Sequence, residues 1–575
     1  MNIIGSSLAR RSLPTYWDAA AFVIVIAVLV GVVSGSHGVA VPLPAPDTAP
    51  VELDYWNLPY YALRTTLRMF AALIASLIFT FTYATLCAKS RRAEMVLIPV
   101  LDILQSVPIL GFLSFTVTFF LGLFPGQVLG AECAAVFAIF TSQAWNMAFS
   151  FYQSLRTVPK DLDEVTRGFQ LTGWQKFWSL EAPFAVPGLV WNTMMSMSGG
   201  WFFVVAAEAI TVGDTTIKLP GIGSYLAVAI DGKRLDAVFA AVVAMLIVIL
   251  AYDQILFRPI VAWAGKFRVE LSAGDVDSTS WVLTIFKRSR LLQALLWPVG
   301  ILLRSFAFLR FSLPRVPVLS ARPSPTVARA LDWLWYAVIA VVIVWSCWAV
   351  VDYVGTSLGW RDALEAFGLT FITLVRVLVL IFLASLIWVP IGVWIGLRPG
   401  VTEYAQPIAQ FLAAFPVNVV FPFVVIGIIY FNLNPDIWLS FLIVFGTQWY
   451  ILFNVIAGAS AFPNDLKEVA SNFHIKGWLW WKNVMLPGIF PYYFTGALTA
   501  SGGSWNAAIV AESVKWGDDK VTAHGIGAYI AKATEAGDFP RIVLGVAMMS
   551  IFVTLLNRFV WRRLFSMAER RLRLD

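Results

Sequence analysis

A chain of 575 residues in which 59% are hydrophobic and only 13% charged is far from a soluble globular mixture. Its mean hydropathy of +0.77 marks a polytopic membrane protein, and its 25 tryptophans suit the interfacial belts where amphipathic rings settle. The net charge of +7 does not imply nucleic acid, since the basic residues fall mostly in loops; Cys87, Cys133 and Cys347 all sit in apolar runs and give no disulfide framework and no metal spacing.

The first apolar run, 17–34, follows Arg10 and Arg11 and has no small-residue cleavage site after it, so it reads as a retained span and not a signal peptide. A Pro-rich segment, 41–59, leads to spans at roughly 69–88, 95–124, 128–151, 187–210 and 237–257, each about 20 residues or more as a bilayer requires. The run 95–124 holds Pro99 and Pro108 and is expected to be kinked or broken. Segment 258–328 is a linker. Its apolar stretch 291–309, interrupted by Pro298 and Arg304, reads as an interfacial amphipathic helix, followed by a Pro/Ser-rich tether at 314–326. Further spans follow at roughly 331–351, 374–397, 405–430, 437–456, 491–513 and 542–559. The expected fold is an all-α polytopic membrane protein of about twelve transmembrane helices in two parallel six-span repeats, 1–257 and 329–575, joined by 258–328. Lys89, Arg91, Arg92, Arg156, Lys160, Arg258, Lys266, Arg268 and the basic tail then share one side with Arg10 and Arg11. That side is cytoplasmic by the positive-inside rule, so both termini and the linker are expected there.

Segment 159–187 recurs as 463–491 without slippage. Glu164 answers to Glu468, Pro183 to Pro487 and Trp201 to Trp505, a constant offset of 304 (468 less 164). Each copy opens Pro-x-Asp-Leu-x-Glu-Val, placing carboxylates where the positive end of a helix dipole favours them. The pattern resembles the E-A-A loop of binding-protein-dependent ABC transporter permeases, in which Gly follows E-A-A after three residues and I-x-L-P after nine more. Glu164-Val165-Thr166 and Glu468-Val469-Ala470 take the first place, Leu180-x-Ala182-Pro183 and Val484-x-Leu486-Pro487 the last. Gln170 and His474 replace the glycine, so its turn is expected at Gly173 and Gly477. The resemblance implies a type I importer fold with a cytoplasmic helix in each half that docks on a separate ATPase subunit. Asp161, Glu164, Gly173, Pro183, Asp465, Glu468, Gly477 and Pro487 would serve this coupling. Two loops imply two ATPase partners, which carry the ATP and Mg; no G-x-x-x-x-G-K-[ST] stretch occurs here.

A second repeated pattern runs from Gly199-Gly200-Trp201 through Glu208 to Gly221-Ile222-Gly223-x-Tyr225. It returns as Gly503-Ser504-Trp505, Glu512 and Gly525-Ile526-Gly527-x-Tyr529. It is similar to the A-A-E…G-I-G-x-Y/L segment of permeases for nitrate, sulfonates, taurine and bicarbonate. That resemblance implies a small anionic solute, a periplasmic or lipid-anchored solute-binding protein, and a bacterial inner membrane location. Ionisable residues at a span edge face a cavity or a partner; Glu208 and Glu512 either cap the following loops or line the pathway. A carboxylate repels an anion, so they are expected to brace an outer gate, paired with a cation or with N–H groups of the Gly213 and Gly517 loops. Arg68 and Arg376 occupy matching places, and either draw an anion inward or snorkel to the interface. Asn146, Asn192, Gln448, Ser501 and Asn506, with Trp201 and Trp505, complete the pathway or gate candidates. The three histidines are scattered and form no metal or nucleophile constellation, which speaks against an enzyme. The competing class is a twelve-span secondary transporter, which needs no repeated cytoplasmic helix.

Overall fold

Apolar runs in lipid have no water for their backbone polar groups, so they close as helices. The computed structural model describes residues 51–212, 215–267, 280–309 and 325–561, with 17–20, 22, 23, 25, 26, 30, 563 and 564. Expectations for Arg10, Arg11, the Gly213 turn, the tether, the basic tail, and most of the first run and Pro-rich segment lie outside the described residues. In the first repeat α1 is Leu58–Lys89, α2 Arg91–Ser106, α3 Ile109–Leu123, α4 Val128–Arg156, α5 Lys160–Gly168, α6 Gly173–Lys176, α7 Ala182–Glu208, α8 Ile222–Asp231, α9 Leu235–Tyr252 and α10 Arg258–Ala264. The linker holds α11, Trp281–Arg288, and α12, Arg290–Ala307. The second repeat runs α13 Pro325–Gly355, α14 Trp360–Gly396, α15 Pro399–Ala414, α16 Phe421–Tyr430, α17 Pro435–Phe445, α18 Gln448–Ser460, α19 Asn464–Asn472, α20 Gly477–Trp480, α21 Leu486–Ala511, α22 Ile526–Glu535 and α23 Phe539–Leu555.

Among the described residues seven helices are long and apolar enough to cross a membrane, or nine if each of two bent pairs is one span. Helices α7 and α21 have 27 and 26 residues, about 40 Å at 1.5 Å per residue, and reach the same length with a more polar composition. The chain divides into two compact units. One comprises Met1–Gly38, Ser150–Met194 and Leu250–Arg322; the other comprises Val39–Phe149, Met195–Ile249 and Pro323–Asp575. The first unit holds α5, α6 and the linker helices. The second holds the whole second repeat, and in it Ile109, Leu110, Trp505, Ile509, Ile526, Ile530 and Met549 share one buried cluster. Ala131, Ala134, Ala135 and Ala138 on α4 join them, a small-residue stripe that admits close helix packing.

The break expected in 95–124 is present and falls at Pro108, between α2 and α3, while Pro99 stays inside α2. Other local expectations are corrected by the backbone. The run 405–430, expected to be continuous, also breaks, between α15 and α16, and 437–456 bends by 42° between α17 and α18. Pro183, Pro187, Pro487 and Pro491 do not separate the cytoplasmic return from the span. Residues 173–208 and 477–511 run on as helix through π turns at Phe177–Glu181 and Trp481–Met485, whose wider hydrogen-bond ring precedes the positions where proline removes a donor. The outer loops are not plain loops. Ala209–Val212 (β1) pairs antiparallel with Thr215–Lys218 (β2), and Ser513–Trp516 (β3) with Asp519–Thr522 (β4), with Gly517 in the left-handed region at φ +59°.

The turn expected at Gly173 and Gly477 is made where the family glycine would stand. Gln170 and His474 themselves adopt φ of 52° and 51°, and Leu171 and Ile475 N–H donate back to the carbonyls of Thr166 and Ala470. Gly477 adds a second left-handed residue at φ +60°. The left-handed conformation costs an L-residue about 1–2 kcal/mol. Gln170→Gly and His474→Gly are therefore expected to leave the loops intact or stabilise them by up to about 1 kcal/mol, whereas Gln170→Val destabilises. Amide hydrogen exchange over 159–176 and 463–480 measures this; faster exchange in both glycine variants would contradict it.

Candidate functional site

Arg64, Thr65 and Arg68 lie on α1, Arg64 one turn before Arg68. Arg68 is 3% exposed and donates from Nε to Glu132 Oε2 at 2.6 Å, from Nη2 to Glu132 Oε1 at 2.7 Å, and from Nη1 to Glu208 Oε1 at 2.7 Å. Its Nη1 also reaches the Pro220 carbonyl at 2.9 Å, and Arg64 Nη2 donates to Glu132 Oε1 at 2.6 Å. Glu208, fully buried at the end of α7, further accepts Thr65 Oγ1 and the Gly223 N–H, both at 2.7 Å. Ile222 N–H donates to Thr65 Oγ1 at 3.0 Å. Two arginines thus face two glutamates inside the protein. A buried charge is tolerated only when paired and hydrogen-bonded, and this cluster meets both conditions.

The second repeat rebuilds the device. Arg376 pairs with the fully buried Glu512, whose Oε1 accepts Thr373 Oγ1 at 2.9 Å and whose Oε2 accepts the Gly527 N–H at 2.7 Å. Ile526 N–H donates to Thr373 Oγ1 at 3.1 Å. The Glu132 place is taken by the shorter Asp436, the Pro220 place by His524 and the Arg64 place by Ile372. Arg376 Nη2 donates to the His524 carbonyl at 2.9 Å, and His524 N–H donates to Asp436 Oδ1 at 2.7 Å. The His524 ring Nδ1 lies 3.0 Å from Asp436 Oδ2. Here one arginine faces two carboxylates, and an exposed imidazole supplies the remaining partner.

The glycines of Gly-Ile-Gly explain why these loops close on the carboxylates. A Cβ on Gly221 would sit 2.3 Å from Glu208 Cδ, and one on Gly525 would sit 2.3 Å from Glu512 Oε2. On Gly223 and Gly527 it would meet the carbonyl oxygens of Val205 and Ala508 at 2.4 and 2.3 Å. The expected pairing of Glu208 and Glu512 with a cation is present. The donors on the following segment are the N–H groups of Gly223, Gly527 and Ala528, while Gly517 N–H donates to the Ile230 carbonyl; Gly213 lies outside the described residues. Arg68 and Arg376 neither snorkel nor offer a free charge to an anion, because carboxylates enclose their guanidinium groups.

The other pathway candidates are dispersed. Asn146 accepts Gln105 Nε2 at 2.9 Å, Gln448 accepts Trp388 Nε1 at 2.8 Å, and Asn506 Oδ1 accepts the Ile109 N–H at the start of α3, 2.7 Å away. Asn192 bonds Ser150 Oγ at 2.8 Å and the Gly188 carbonyl. Ser501, Trp201 and Trp505 are each 1% exposed and belong to the core, which corrects their reading as lining residues. Glu132, Asp436, Arg64, Thr65 and Thr373 were missed from sequence. The signal was there for two of them: Glu132 is a lone carboxylate in an apolar run, and Arg64 lies one helical turn from Arg68.

The repeated loops are the second feature. Asp161, Glu164, Asp465 and Glu468 are all exposed. Beside them, one turn apart, stand Val165 and Phe169 in the first copy (52% and 76% exposed) and Val469 and Phe473 in the second (47% and 75%). In the first copy Asp163 pairs with Lys176 and Arg167, and the Lys176 hydrogen bond above all holds its carboxyl below the usual carboxylate range. Lys467, Trp480 and Ser471 take those three places in the second copy.

Fold and sites together define a multi-span helical permease built by internal duplication. Residues 80–257 and 388–574, more than half of the chain, match the model of the binding-protein-dependent transport system inner membrane component, and the chain belongs to that family as a two-copy member. It is 31% identical over 194 residues to a bicarbonate transport system permease protein of Synechococcus elongatus, a match covering 34% of this chain and 66% of the relative. It is 26% identical over 190 residues to a nitrate import permease protein of Synechocystis sp., covering 33% and 66%. With a glycine betaine/carnitine transport permease protein of Listeria monocytogenes it shares 29% identity over 205 residues, covering 35% and 66%. Each match spans just under two thirds of the relative's length.

Proposed function

We propose that this chain is the transmembrane subunit of an ATP-driven importer for a small anion, with both permease halves in one polypeptide. It sits in a bacterial inner membrane with its termini and linker in the cytoplasm. Two separate ATP-hydrolysing subunits, with their ATP and Mg, dock on α5 and α19, and a periplasmic or lipid-anchored binding protein delivers the solute. The observation that carries this reading is the pair of short helices at one offset, each presenting an exposed glutamate beside an exposed Val/Phe pair. A solvated helix does not need such a patch, whereas a docking helix lays it into a partner groove. Bicarbonate and nitrate, named for two of the relatives, support the small-anion reading, while a third relative is named for glycine betaine/carnitine.

Glu208 and Glu512 brace the outer ends of α7 and α21. Their oxygens already accept the chain's own donors, so solute selectivity resides elsewhere, among neutral donors. The test is co-purification with the ATPase subunits and ATP hydrolysis in proteoliposomes, stimulated by the loaded binding protein. Phe169→Ala and Phe473→Ala, each removing an exposed anchor worth about 2 kcal/mol or more, are expected to weaken ATPase association at least roughly tenfold; Glu164→Ala and Glu468→Ala do so less. Solute uptake driven by an ion gradient, with no ATPase present, would replace the proposal with a secondary transporter.

A further inference from the structure

The linker helix α12 is held at both ends by side chains from distant parts of the chain, all within one unit. At its start, Asp18 Oδ1 accepts Ser289 Oγ at 2.9 Å and the Leu291 N–H at 3.0 Å, a carboxylate at the positive end of the helix. Trp17, beside Asp18, lies under the Arg288 guanidinium at 5.6 Å. At its end, Trp174 Nε1 donates to the Phe306 carbonyl at 2.7 Å and Gln175 Nε2 to the Phe308 carbonyl at 3.1 Å, partners that the last carbonyls of a helix otherwise lack. The Phe306 ring packs edge-on against Trp174 and Trp178, with centroids 4.9 and 5.8 Å away. Trp174 and Gln175 belong to the return of the first docking loop.

Between these clasps the helix is two-faced. Arg290, Gln293 and Arg304 follow one stripe, while Leu295, Val299 and Leu302 follow the opposite one and are 54%, 47% and 69% exposed. Its 18 residues, about 27 Å, approach the thickness of a bilayer core. Crossing is nevertheless excluded by the clasps, given the orientation in the proposed function: Trp174 lies in a cytoplasmic loop, and Asp18 follows the basic pair Arg10 and Arg11 that the charge bias puts on the same side. A helix with both ends on one side, a leucine stripe, and arginines opposite and at its start fits the headgroup layer of an anionic bilayer.

We propose that α12 lies in the cytoplasmic lipid surface and, through Trp174 and Gln175, anchors the first docking loop to the membrane. The two loops differ at the same residue: Trp174 is half-buried against the linker, and its counterpart Trp478 is 75% exposed. The two ATPase docking sites are therefore inequivalent in stiffness although they share the Pro-x-Asp-Leu-x-Glu-Val opening and the Gly-Trp pair.

The experiment uses the full chain with Cys87, Cys133 and Cys347 changed to Ser, reconstituted in phosphatidylglycerol-containing vesicles, with a fluorophore at Leu302→Cys or, as the polar-face control, Gln293→Cys. The Leu302 label is expected to be quenched several-fold more by a nitroxide near the lipid headgroup than by aqueous iodide, and the Gln293 label the reverse. Strongest quenching by a nitroxide at the acyl-chain end would mean that α12 crosses, and efficient iodide quenching at Leu302 would mean that it lies in water. Shielding at Leu302 only when ATPase subunits are added would make the partner a protein. Each of these three results overturns the proposal. The anchoring has its own readout, independent of transport: Trp174→Ala should speed amide exchange over 171–178 roughly fivefold or more, while Trp478→Ala leaves 475–482 unchanged. Equal changes in both loops would overturn the inequivalence.

Discussion

Arg68→Met is expected to remove about 3–5 kcal/mol of stability, enough to lose most folded protein on extraction, because it strands two buried carboxylates at once. Among the described residues Glu132 then keeps Arg64 alone, and Glu208 keeps a hydroxyl and an N–H but no cation. The loss is larger than for an ordinary ion pair because both acids sit in the protein interior, where an unpaired charge cannot recover its hydration. Arg376→Met is expected to cost less. Asp436 is 39% exposed and retains its bonds to His524, so only Glu512 is fully stranded. Thermal unfolding of the purified chain in detergent measures both. The accompanying rescue is the double change Arg68→Met, Glu208→Gln, which removes one cation and one carboxylate together, keeps the Arg64–Glu132 pair and should recover much of the loss. An Arg68→Met protein that melts with the parent would show that the cluster does not hold the fold. Glu208→Gln alone keeps the shape and most hydrogen bonds, so its effect should fall on coupling between ATP hydrolysis and transport, with solute preference unchanged.

Gly223→Ala and Gly527→Ala should be as damaging, by overpacking. The new methyl group meets a helix carbonyl at 2.4 or 2.3 Å, and a carbonyl on α7 or α21 cannot swing aside as a side chain does. Overpacking of a tight site costs about 1–3 kcal/mol, and the forced retreat also breaks the N–H bond to the buried carboxylate, about 1.5–3 kcal/mol more. The expected result is a chain in which the hairpin and α8 or α22 detach from the glutamate, with faster hydrogen exchange over 209–226 or 513–530 and loss of transport. Gly502→Ala is the control. Nothing lies within 4 Å of its added methyl group, and alanine inside α21 should be neutral or stabilise by about 0.5–1 kcal/mol. Similar behaviour of Gly527→Ala and Gly502→Ala would refute the steric account.

The helical class, the duplication and the repeated loop of each half were legible in the sequence, because each rests on a local or periodic property. An apolar run of sufficient length has one backbone solution in lipid. A repeated Pro-x-Asp-Leu-x-Glu-Val states its helix start in its own residues, whereas proline alone does not state a break: Pro108 interrupts its run and Pro99 does not. The Glu208 and Glu512 pair was visible as ionisable residues at equivalent span ends. Their partners were not. Glu132 lies 64 residues from Arg68, and Gly223 is 15 residues from Glu208. Which donor meets which acid depends on helix rotation and loop closure, which no local pattern fixes. The same limit explains the error over Arg68 and Arg376: an arginine near a span end snorkels unless carboxylates on other helices enclose it, and only the assembled helices bring them there. Gln170 and His474 are the converse case. The turn is imposed by hydrogen bonds closing around it, so the backbone there goes left-handed without glycine and accepts the strain. Sequence alone determined that this is a duplicated membrane permease with a repeated loop in each half, since hydrophobic length and repeated motifs are properties of the chain. Tertiary structure decided that the buried glutamates are saturated, that Trp201 and Trp505 are core, and that the linker clasps the first loop, because those facts are distances between residues the chain keeps far apart.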